Sequence, residues 1–205
     1  MCMNAPRLTD LKRKAIITAA AAEFRANGFE ATSMDRIAAV AEVSKRTVYN
    51  HFPSKEELFA ETIVQLFEAS AAQQDLAYRS DVDVRVQLTE LLRLKMRTLE
   101  DRDFLDLARV AISEAIHAPE RALPVFARLN EREEGFTSWI RAAQRDGKLK
   151  AGDPTFASTM LQGQVKAFAF WPQVAIGAAP LGPAQQEAVI EASVSMFLSY
   201  FGPAQ

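Results

Sequence analysis

The stretch VSKRTVYNHFPSKEEL, residues 43–58, decides the fold of the N-terminal part of this chain. Ser44 and Ser54 each stand where a helix can begin, because a serine side chain at that position accepts a hydrogen bond from the first turn. In the helix that follows Ser44, Val48 and Phe52 lie one turn apart and supply the apolar contacts. The remaining residues are polar, basic or aromatic. The stretch therefore predicts a short helix with a narrow inward side and a cationic outer side.

Two helices precede this one. An apolar residue at every fourth position from Ile16 to Phe24 predicts a first helix, which Gly28 ends. Thr32 with Asp35 three residues later is typical of a capping box and opens a second, short helix. Three short helices, of which the last two are joined by a tight turn, predict a helix-turn-helix unit.

The rest of the chain also has the pattern of helices, with no alternation typical of strands over more than about four residues. Pro172 predicts a kink in the helix that contains it. The sequence therefore predicts an all-α fold with an N-terminal three-helix domain, residues 1–55, and a larger helical domain, residues 56–205. The predicted helices of the larger domain are residues 55–78, 82–100, 104–117, 119–146, 154–176 and 183–201.

Charge and cysteine content limit the class of protein. The net charge is −2, but residues 1–56 hold nine basic and six acidic side chains, so a mildly basic N-terminal part is joined to an acidic body. Cys2 is the only cysteine, which excludes an intrachain disulfide and favours a reducing compartment. We find no signal-peptide segment and no apolar run of roughly 18 residues. These features predict a soluble cytoplasmic protein with no membrane partner.

The polar helix after Ser44 suggests DNA as a partner. The second helix of a helix-turn-helix enters the major groove, so its outer side needs hydrogen-bond donors and cations. Asn can pair with adenine, Arg with guanine, and a Thr methyl can touch thymine. Taken alone, His51 could equally be a packing histidine or a pH-sensitive group. The candidate DNA contacts in this helix are Ser44, Lys45, Arg46, Thr47, Tyr49, Asn50 and His51.

The same region resembles the TetR family of transcriptional regulators. The resemblance rests on the pairs Gly28-Phe29, Thr32-Ser33 and Ile37-Ala38, followed by Val-Ser-Lys-x-Thr-x-Tyr-x-His-Phe-x-Ser-Lys-Glu at residues 43–56. It covers about the first quarter of the chain. The sequence departs from the family at Glu42, where the turn commonly holds Gly, and at Arg46, another position that often holds Gly.

The resemblance implies a homodimer whose two recognition helices meet successive major grooves of a near-palindromic operator, about 34–36 Å apart. It also assigns roles residue by residue. The positions that contact DNA in the family are matched by Thr47, Tyr49 and His51, and those that hold phosphates by Thr32, Ser33, Lys45 and Lys55.

In the resembled family the larger domain forms a cavity for a small, often hydrophobic effector. Aromatic side chains on the larger helices could line such a cavity or pack in the core, and His117 could be a polar core residue or a hydrogen-bonding group in the cavity. The candidate lining residues are Phe104, His117, Phe126, Trp139, Phe168 and Trp171.

The last two predicted helices, residues 154–176 and 183–201, are expected to form the dimer surface. The last one is apolar over most of its circumference, so it needs cover on more than one side, as a two-fold interface provides. Small residues in the preceding helix permit close approach. The candidate interface residues are Gly163, Ala167, Ile190, Val194, Phe197 and Phe201.

Nothing in the sequence indicates catalysis. Glu114-x-x-His117 has the spacing of di-iron bundles, but such a site needs a second copy and the chain has two histidines. We find no Ser/His/Asp set, phosphate-binding loop or paired carboxylates, and expect no enzyme activity, cofactor or metal. The predicted function is an effector-responsive transcriptional repressor, with activation left open. The alternatives are a small-molecule binder whose DNA-binding part has decayed and a helical enzyme that uses His117.

Overall fold

The computed structural model describes residues 8–72, 77–130 and 135–203. These residues form eleven α-helices and no strand, which confirms the predicted all-α class. The helices are α1 (Leu8–Ala31), α2 (Met34–Val40), α3 (Lys45–His51), α4 (Lys55–Ala72), α5 (Val84–Thr98), α6 (Arg102–His117), α7 (Pro119–Asn130), α8 (Gly135–Arg145), α9 (Pro154–Ala169), α10 (Trp171–Ile176) and α11 (Pro183–Phe201).

The helices pack into two compact units. Unit 1 comprises Met1–Phe67 and Asp106–Glu131, and unit 2 comprises Glu68–Leu105 and Arg132–Gln205. Unit 1 thus contains the helix-turn-helix together with most of α4, most of α6 and all of α7. The functional boundary between residues 55 and 56 stays a prediction, because packing alone does not define a functional domain.

An aromatic cluster forms the centre of unit 1. The rings of Phe24 and Phe59 meet edge to face with centroids 5.0 Å apart, and those of Phe29 and Phe59 lie 5.1 Å apart. Phe29 reaches the cluster because α1 is interrupted at Gly28, whose φ of 73° is readily adopted by glycine. The chain can therefore turn back after the first long helix and bury the next aromatic residue beside it.

Local capping signals place the two helices of the helix-turn-helix, with one correction. The predicted cap Thr32 is wrong: Ser33 caps α2 by accepting a hydrogen bond from the Arg36 backbone N–H at 3.3 Å. Thr32 is buried instead, and its hydroxyl donates to the carbonyl oxygen of Gly28 at 2.7 Å. The Ser44 cap is confirmed, since its hydroxyl accepts from the Thr47 N–H at 3.1 Å.

The turn between α2 and α3 contains the residue at which the sequence departs from the family. Glu42 has a φ of 53° and is the one non-glycine residue in the described ranges with positive φ. The neighbouring Val43 N–H donates to the carbonyl of Ala38 at 3.0 Å, so the turn geometry is held by the backbone.

Glu42→Gly should stabilise the protein. The left-handed conformation costs a non-glycine residue about 1–2 kcal/mol, and the greater freedom of glycine in the unfolded chain offsets about 0.4–1 kcal/mol of the relief. We expect a net gain of about 0.5–1 kcal/mol in the free energy of unfolding, measured by urea denaturation. Glu42→Ala removes the same carboxylate but keeps the strain, so it should give no gain. Equal stabilisation by both variants would contradict this account.

Unit 2 is organised around α5, α8, α9 and α11. Gln87 of α5 connects several of its parts: its side-chain oxygen accepts hydrogen bonds from Trp139 Nε1 at 3.3 Å and from the Arg79 N–H at 2.9 Å. Its amide nitrogen donates to the Val82 carbonyl at 2.8 Å. A buried amide with both ends satisfied fixes its neighbours firmly, so Gln87 holds the segment before α5 against α8.

Tyr78 gives that segment a second connection to the region after α8. Its hydroxyl donates to a carboxylate oxygen of Asp146 at 2.5 Å, and its ring meets Trp139 edge to face at 5.5 Å. Burial and the bond to the Asp146 carboxylate raise the pKa of Tyr78 to about 12. Tyr78 therefore stays protonated and acts as a hydrogen-bond donor throughout the ordinary pH range.

The predicted helix over residues 154–176 is interrupted close to the predicted kink. α9 ends at Ala169, Phe170 has φ −111° and ψ −61°, and Pro172 lies in the first turn of α10. Proline lacks an N–H and its ring clashes with the preceding turn, so the regular helix ends before it. The predicted helix over residues 119–146 corresponds to α7 and α8, and its middle, residues 131–134, lies outside the described residues.

No helix in the described ranges is both long and apolar enough to cross a membrane. The same part of the chain holds no group of three or more His, Cys, Asp or Glu side chains suited to a metal ion. Glu114 forms an ion pair with Arg121 at 3.0 Å, and His117 Nδ1 lies 2.8 Å from the Ser113 carbonyl oxygen. Local contacts therefore account for both residues of the predicted Glu-x-x-His pattern.

Candidate nucleic-acid interface

The sides of α3 differ sharply in burial. Val48 and Phe52 are fully buried in the core of unit 1. Tyr49 is 43% exposed, although it is aromatic. Of the other predicted DNA contacts in and beside this helix, Ser44, Lys45, Arg46 and Asn50 are exposed, and Thr47 and His51 are half-buried. The helix therefore presents a polar and aromatic surface to solvent while two apolar residues attach it to the unit.

The C-terminal end of α3 is held by a cation and a carboxylate. The Arg13 guanidinium lies 4.8 Å from the centroid of the Phe52 ring and pairs with Glu61 at 3.1 Å. Glu61 also pairs with Arg128 of α7 at 2.7 Å. Burial tends to raise the pKa of Glu61, but hydrogen bonds from Arg128 and Gln65 and the charge of Arg13 outweigh it and lower that pKa. Glu61 is thus charged at neutral pH and connects α1, α4 and α7.

The N-terminal end of α3 is held by the side chain of Ser44. Besides capping the helix, Ser44 shares a hydrogen bond of 2.8 Å with the Thr47 hydroxyl. Both hydroxyls are therefore engaged within the protein, while the backbone N–H groups of the first turn stay directed along the helix axis. Such a start favours a nearby phosphate, and the DNA contacts of Ser44 and Thr47 stay predictions.

The two cations at this end differ in their surroundings. The Lys45 ammonium lies 2.8 Å from one oxygen of Asp35 and 3.0 Å from the other, and 6.0 Å from the centroid of the Tyr49 ring. The hydrogen bond to Asp35 and the charge of that carboxylate raise the pKa of Lys45. Arg46, next along the chain, has no hydrogen bond or ion pair to any residue within the described ranges.

Lys55, a predicted phosphate contact, is engaged with the backbone at the end of α1. Its ammonium donates to the carbonyl oxygens of Phe29 at 2.8 Å, Glu30 at 3.2 Å and Thr32 at 3.2 Å. It also lies 4.3 Å from the centroid of the Phe29 ring. These contacts give Lys55 a structural role, and its contact with phosphate stays a prediction. The same holds for Thr32, whose side chain is buried, whereas Ser33 is exposed.

Two contacts in unit 1 were not predicted from the sequence. Asp35 was interpreted as part of a cap, and its pairing with Lys45 ten residues later depends on how α2 and α3 pack. Arg121 of α7 pairs with Glu30 at 3.0 Å and lies 5.0 Å from the Phe29 ring. No sequence pattern joins residues 91 positions apart, so this contact could be found only in the folded chain.

The predicted effector-lining residues fall into different environments. Phe104 and Trp139 are buried in unit 2, whereas Phe168 and Trp171 are about half exposed. His117, in unit 1, is exposed. The side chain of Phe126 lies outside the described part. The Phe170 ring contacts both Phe104 and Trp171, with centroid distances of 6.4 Å to the first and 5.2 Å to the second.

The predicted dimer residues divide between the core and the surface. Ile190, Val194 and Phe197 are fully buried inside unit 2, so they contribute to the core of the subunit, and their place at an interface stays a prediction. They face the chain's own α5 and α9, against which α11 packs. Gly163 and Ala167 are exposed, and Phe201 is half-buried. The exposed large apolar side chains of α9–α11 are Phe156, Met160, Phe168, Trp171, Ile176, Met196 and Tyr200.

Both the N-terminal and the C-terminal parts of the chain match known protein families. Residues 16–62 match the family described as bacterial regulatory proteins, tetR family. Residues 86–203, more than half of the chain, match the C-terminal domain of AefR-like transcriptional repressors. The first match covers the helix-turn-helix described above, and the second covers α5 to α11 almost completely.

Individual relatives agree with the family matches. The HTH-type transcriptional regulator RutR of Escherichia coli strain K12 is 30% identical over 174 residues, which are 82% of this chain and 79% of RutR. A TetR-family regulator from Pseudomonas syringae pv. tomato has a solved structure with 55% identity and a TM-score of 0.78, over 95% of this chain and 99% of that one. The flavonoid-responsive regulator FrrA matches with 29% identity and a TM-score of 0.75, over 95% and 98% of the two chains. With a helix-turn-helix whose second helix exposes its polar side, and with relatives along nearly its whole length, this chain belongs to the TetR family of transcriptional regulators.

Proposed function

We propose that this protein is a transcriptional repressor that binds a near-palindromic operator as a homodimer and releases it when a small effector binds. The observation that carries the proposal is the burial pattern of α3. Val48 and Phe52 fix the helix, while Arg46, Tyr49 and Asn50 remain available to a major groove. A repressing role is supported by the match of residues 86–203 to a domain described for AefR-like repressors.

Two exposed stripes support a homodimer and suggest where it forms. One runs along α9 through Phe156, Met160, Gly163 and Ala167, and the other along α11 through Ala188, Ala192, Met196 and Tyr200. The stripes meet at one end, where Phe156 and Tyr200 line the same cleft of about 380 Å³. We call these eight residues the α9/α11 face. An apolar surface on two packed helices suits a two-fold interface, and the small residues in each stripe permit close approach.

The effector class is proposed from a relative and from composition. FrrA, at 29% identity, is described as flavonoid-responsive, that is, responsive to an aromatic compound. Unit 2 of this chain contains the aromatic side chains Phe104, Trp139 and Phe170, which suit an apolar, ring-containing molecule. α4 and α6 each contribute residues to both compact units, so each is a covalent route by which an effector could alter the DNA-binding helices. A coupling free energy of about 1–3 kcal/mol is typical of such control.

Selection from a random DNA pool tests the proposal. Purified protein at low salt should enrich duplexes with two inverted half-sites whose centres lie about one helical turn apart. Enrichment of such sites would support a dimeric, sequence-specific binder. Failure to retain any duplex at low salt would contradict the proposal and favour a small-molecule binder without DNA-binding activity.

Tyr49→Ala should lower affinity for the selected operator about tenfold, or about 1.4 kcal/mol, because the exposed ring of Tyr49 is available for contact with DNA and is not needed in the core. Fluorescence anisotropy with labelled operator measures the change. Val40→Ala is the matched control, since Val40 is 52% exposed in the same unit but lies on α2. An equal loss in both variants, or none in Tyr49→Ala, would remove Tyr49 from the interface.

A further inference from the structure

Lys45 and Arg46, the two basic residues at the start of α3, differ in whether a carboxylate lies beside them. Lys45 contacts both carboxylate oxygens of Asp35, at 2.8 Å and 3.0 Å. Arg46 has no such partner among the residues that the structure describes. The side chains of Lys45 and Asp35 are 60% and 63% exposed, so the pair lies on the surface and contributes little to folding. Its position beside the recognition helix points to another consequence.

A carboxylate of the same protein that pairs with a lysine changes what that lysine contributes to DNA binding. A lysine gains affinity for DNA by neutralising a phosphate and releasing a condensed counterion. Lys45 must give up Asp35 before it can do so, and Asp35 then remains close to the phosphate as a like charge. Arg46 bears neither cost. Of the two cations, therefore, only Arg46 contributes its full charge to the attraction of any duplex.

We propose that Asp35 limits the sequence-independent affinity of this protein for DNA by neutralising Lys45. The proposal rests on the function proposed above and adds a residue that controls specificity. Attraction to phosphates is the same for every sequence, whereas base contacts by uncharged groups such as Tyr49 and Asn50 depend on sequence. Weakening the attraction to phosphates while leaving the base contacts intact raises the ratio of operator affinity to non-specific affinity.

The test measures binding of four proteins to a duplex of mixed sequence of about 30 base pairs, at salt concentrations between about 50 and 200 mM. The proteins are the wild type, Asp35→Asn, Lys45→Ala and the double variant. We expect Asp35→Asn to bind about three- to tenfold more tightly than the wild type at the lowest salt. The slope of log K against log salt should become steeper by about 0.9, the value for one additional phosphate contact.

The double-mutant comparison separates this role from a general charge effect. Lys45→Ala should lower affinity by a smaller factor when Asp35 is present, where the loss reflects the unpaired carboxylate, than when Asp35 is replaced by Asn, where it should abolish the gain. Two further proteins serve as controls: Arg46→Ala, made in the wild type and in Asp35→Asn, should lose about the same affinity in both backgrounds, because Arg46 does not contact Asp35. Thermal unfolding of each variant confirms that the exposed substitutions leave the fold intact.

Several results would overturn the inference. It fails if Asp35→Asn binds no more tightly than the wild type, or if Lys45→Ala loses the same affinity in both backgrounds. Either result would leave the proposed function intact, because the wild type would still bind DNA. If none of the four proteins binds any duplex at low salt, the proposed function and this inference fail together.

Discussion

Gly163→Arg is expected to dissociate the proposed dimer and to lower affinity for the operator by about a hundredfold or more, because joining two half-site binders contributes a factor of about 10²–10⁴ in affinity. Gly163 lies in the middle of the α9/α11 face. An arginine there would place a charged side chain between two apolar surfaces, and burial of an unpaired charge opposes association.

The substitution leaves the isolated subunit undisturbed. A Cβ atom added at Gly163 meets no atom within 4 Å in the described structure, and the exposed residue lies inside a regular helix, so a longer side chain can extend into solvent. Arginine favours a helix interior over glycine by about 0.8 kcal/mol, so the folded subunit should be slightly more stable. Loss of operator binding can therefore be attributed to the interface and not to unfolding. Sedimentation equilibrium gives the mass of the species in solution and so distinguishes monomer from dimer. Titration with operator DNA gives the affinity.

Val86→Arg is the matched control for this prediction. Val86 is an exposed apolar residue of unit 2, but it lies on α5 outside the α9/α11 face. The variant introduces the same charge and should remain dimeric with unchanged operator affinity. A dimeric Gly163→Arg protein, or dissociation in both variants, would show that the subunits meet elsewhere.

Local sequence signals were sufficient for the helix-turn-helix. A serine cap acts within four residues, a glycine with positive φ acts at its own position, and helical periodicity acts within two turns. Ser44, Ser54 and Gly28 were therefore interpreted correctly. Thr32 was not, because Ser33 beside it offers an equivalent hydroxyl. Only the burial of Thr32 against the end of α1 decides between them.

The proposed dimer surface shows a different limit of prediction from sequence. Periodicity indicates that α11 has apolar residues on more than one side, but not which side meets the chain's own helices. The stripe with Ile190 and Val194 contains β-branched residues and was assigned to the partner, yet it packs in the core of unit 2. The stripe with Met196 and Tyr200 is exposed. Both stripes have the same helical periodicity, so only the tertiary packing determines which of them is buried in the subunit.

The partners of the charged residues in the helix-turn-helix could not be predicted from the sequence either. The family pattern identifies Lys45 and Lys55 by position, but the groups that face them, Asp35 and the carbonyls after Gly28, come from other elements. A lysine reaches its partner through four flexible bonds, so its role depends on which acceptor is nearest in the folded chain. For Lys55 this difference leads to a prediction.

Lys55→Met is expected to lower the free energy of unfolding by about 2–3 kcal/mol, since hydrogen bonds from a charged donor contribute about 1.5–3 kcal/mol and the ring contact adds to them. The ammonium of Lys55 donates to three carbonyl oxygens at 2.8–3.2 Å, and the bonds share one cation, so their contributions do not add fully. Methionine retains the length of the four-atom apolar stem but lacks the ammonium, so it leaves these acceptors without their donor. Urea denaturation measures the change.

Lys12→Met separates this effect from loss of a positive charge. Lys12 is an exposed residue of α1, and it makes no hydrogen bond or ion pair within the described ranges. Its replacement should leave stability within about 0.5 kcal/mol of the wild type. If Lys55 acts mainly on phosphate, as the family position implies, Lys55→Met would instead keep the stability of the wild type and flatten the salt dependence of DNA binding by about 0.9. That outcome would mean that the ammonium leaves the carbonyls when DNA binds, and that the end of α1 holds its shape without it.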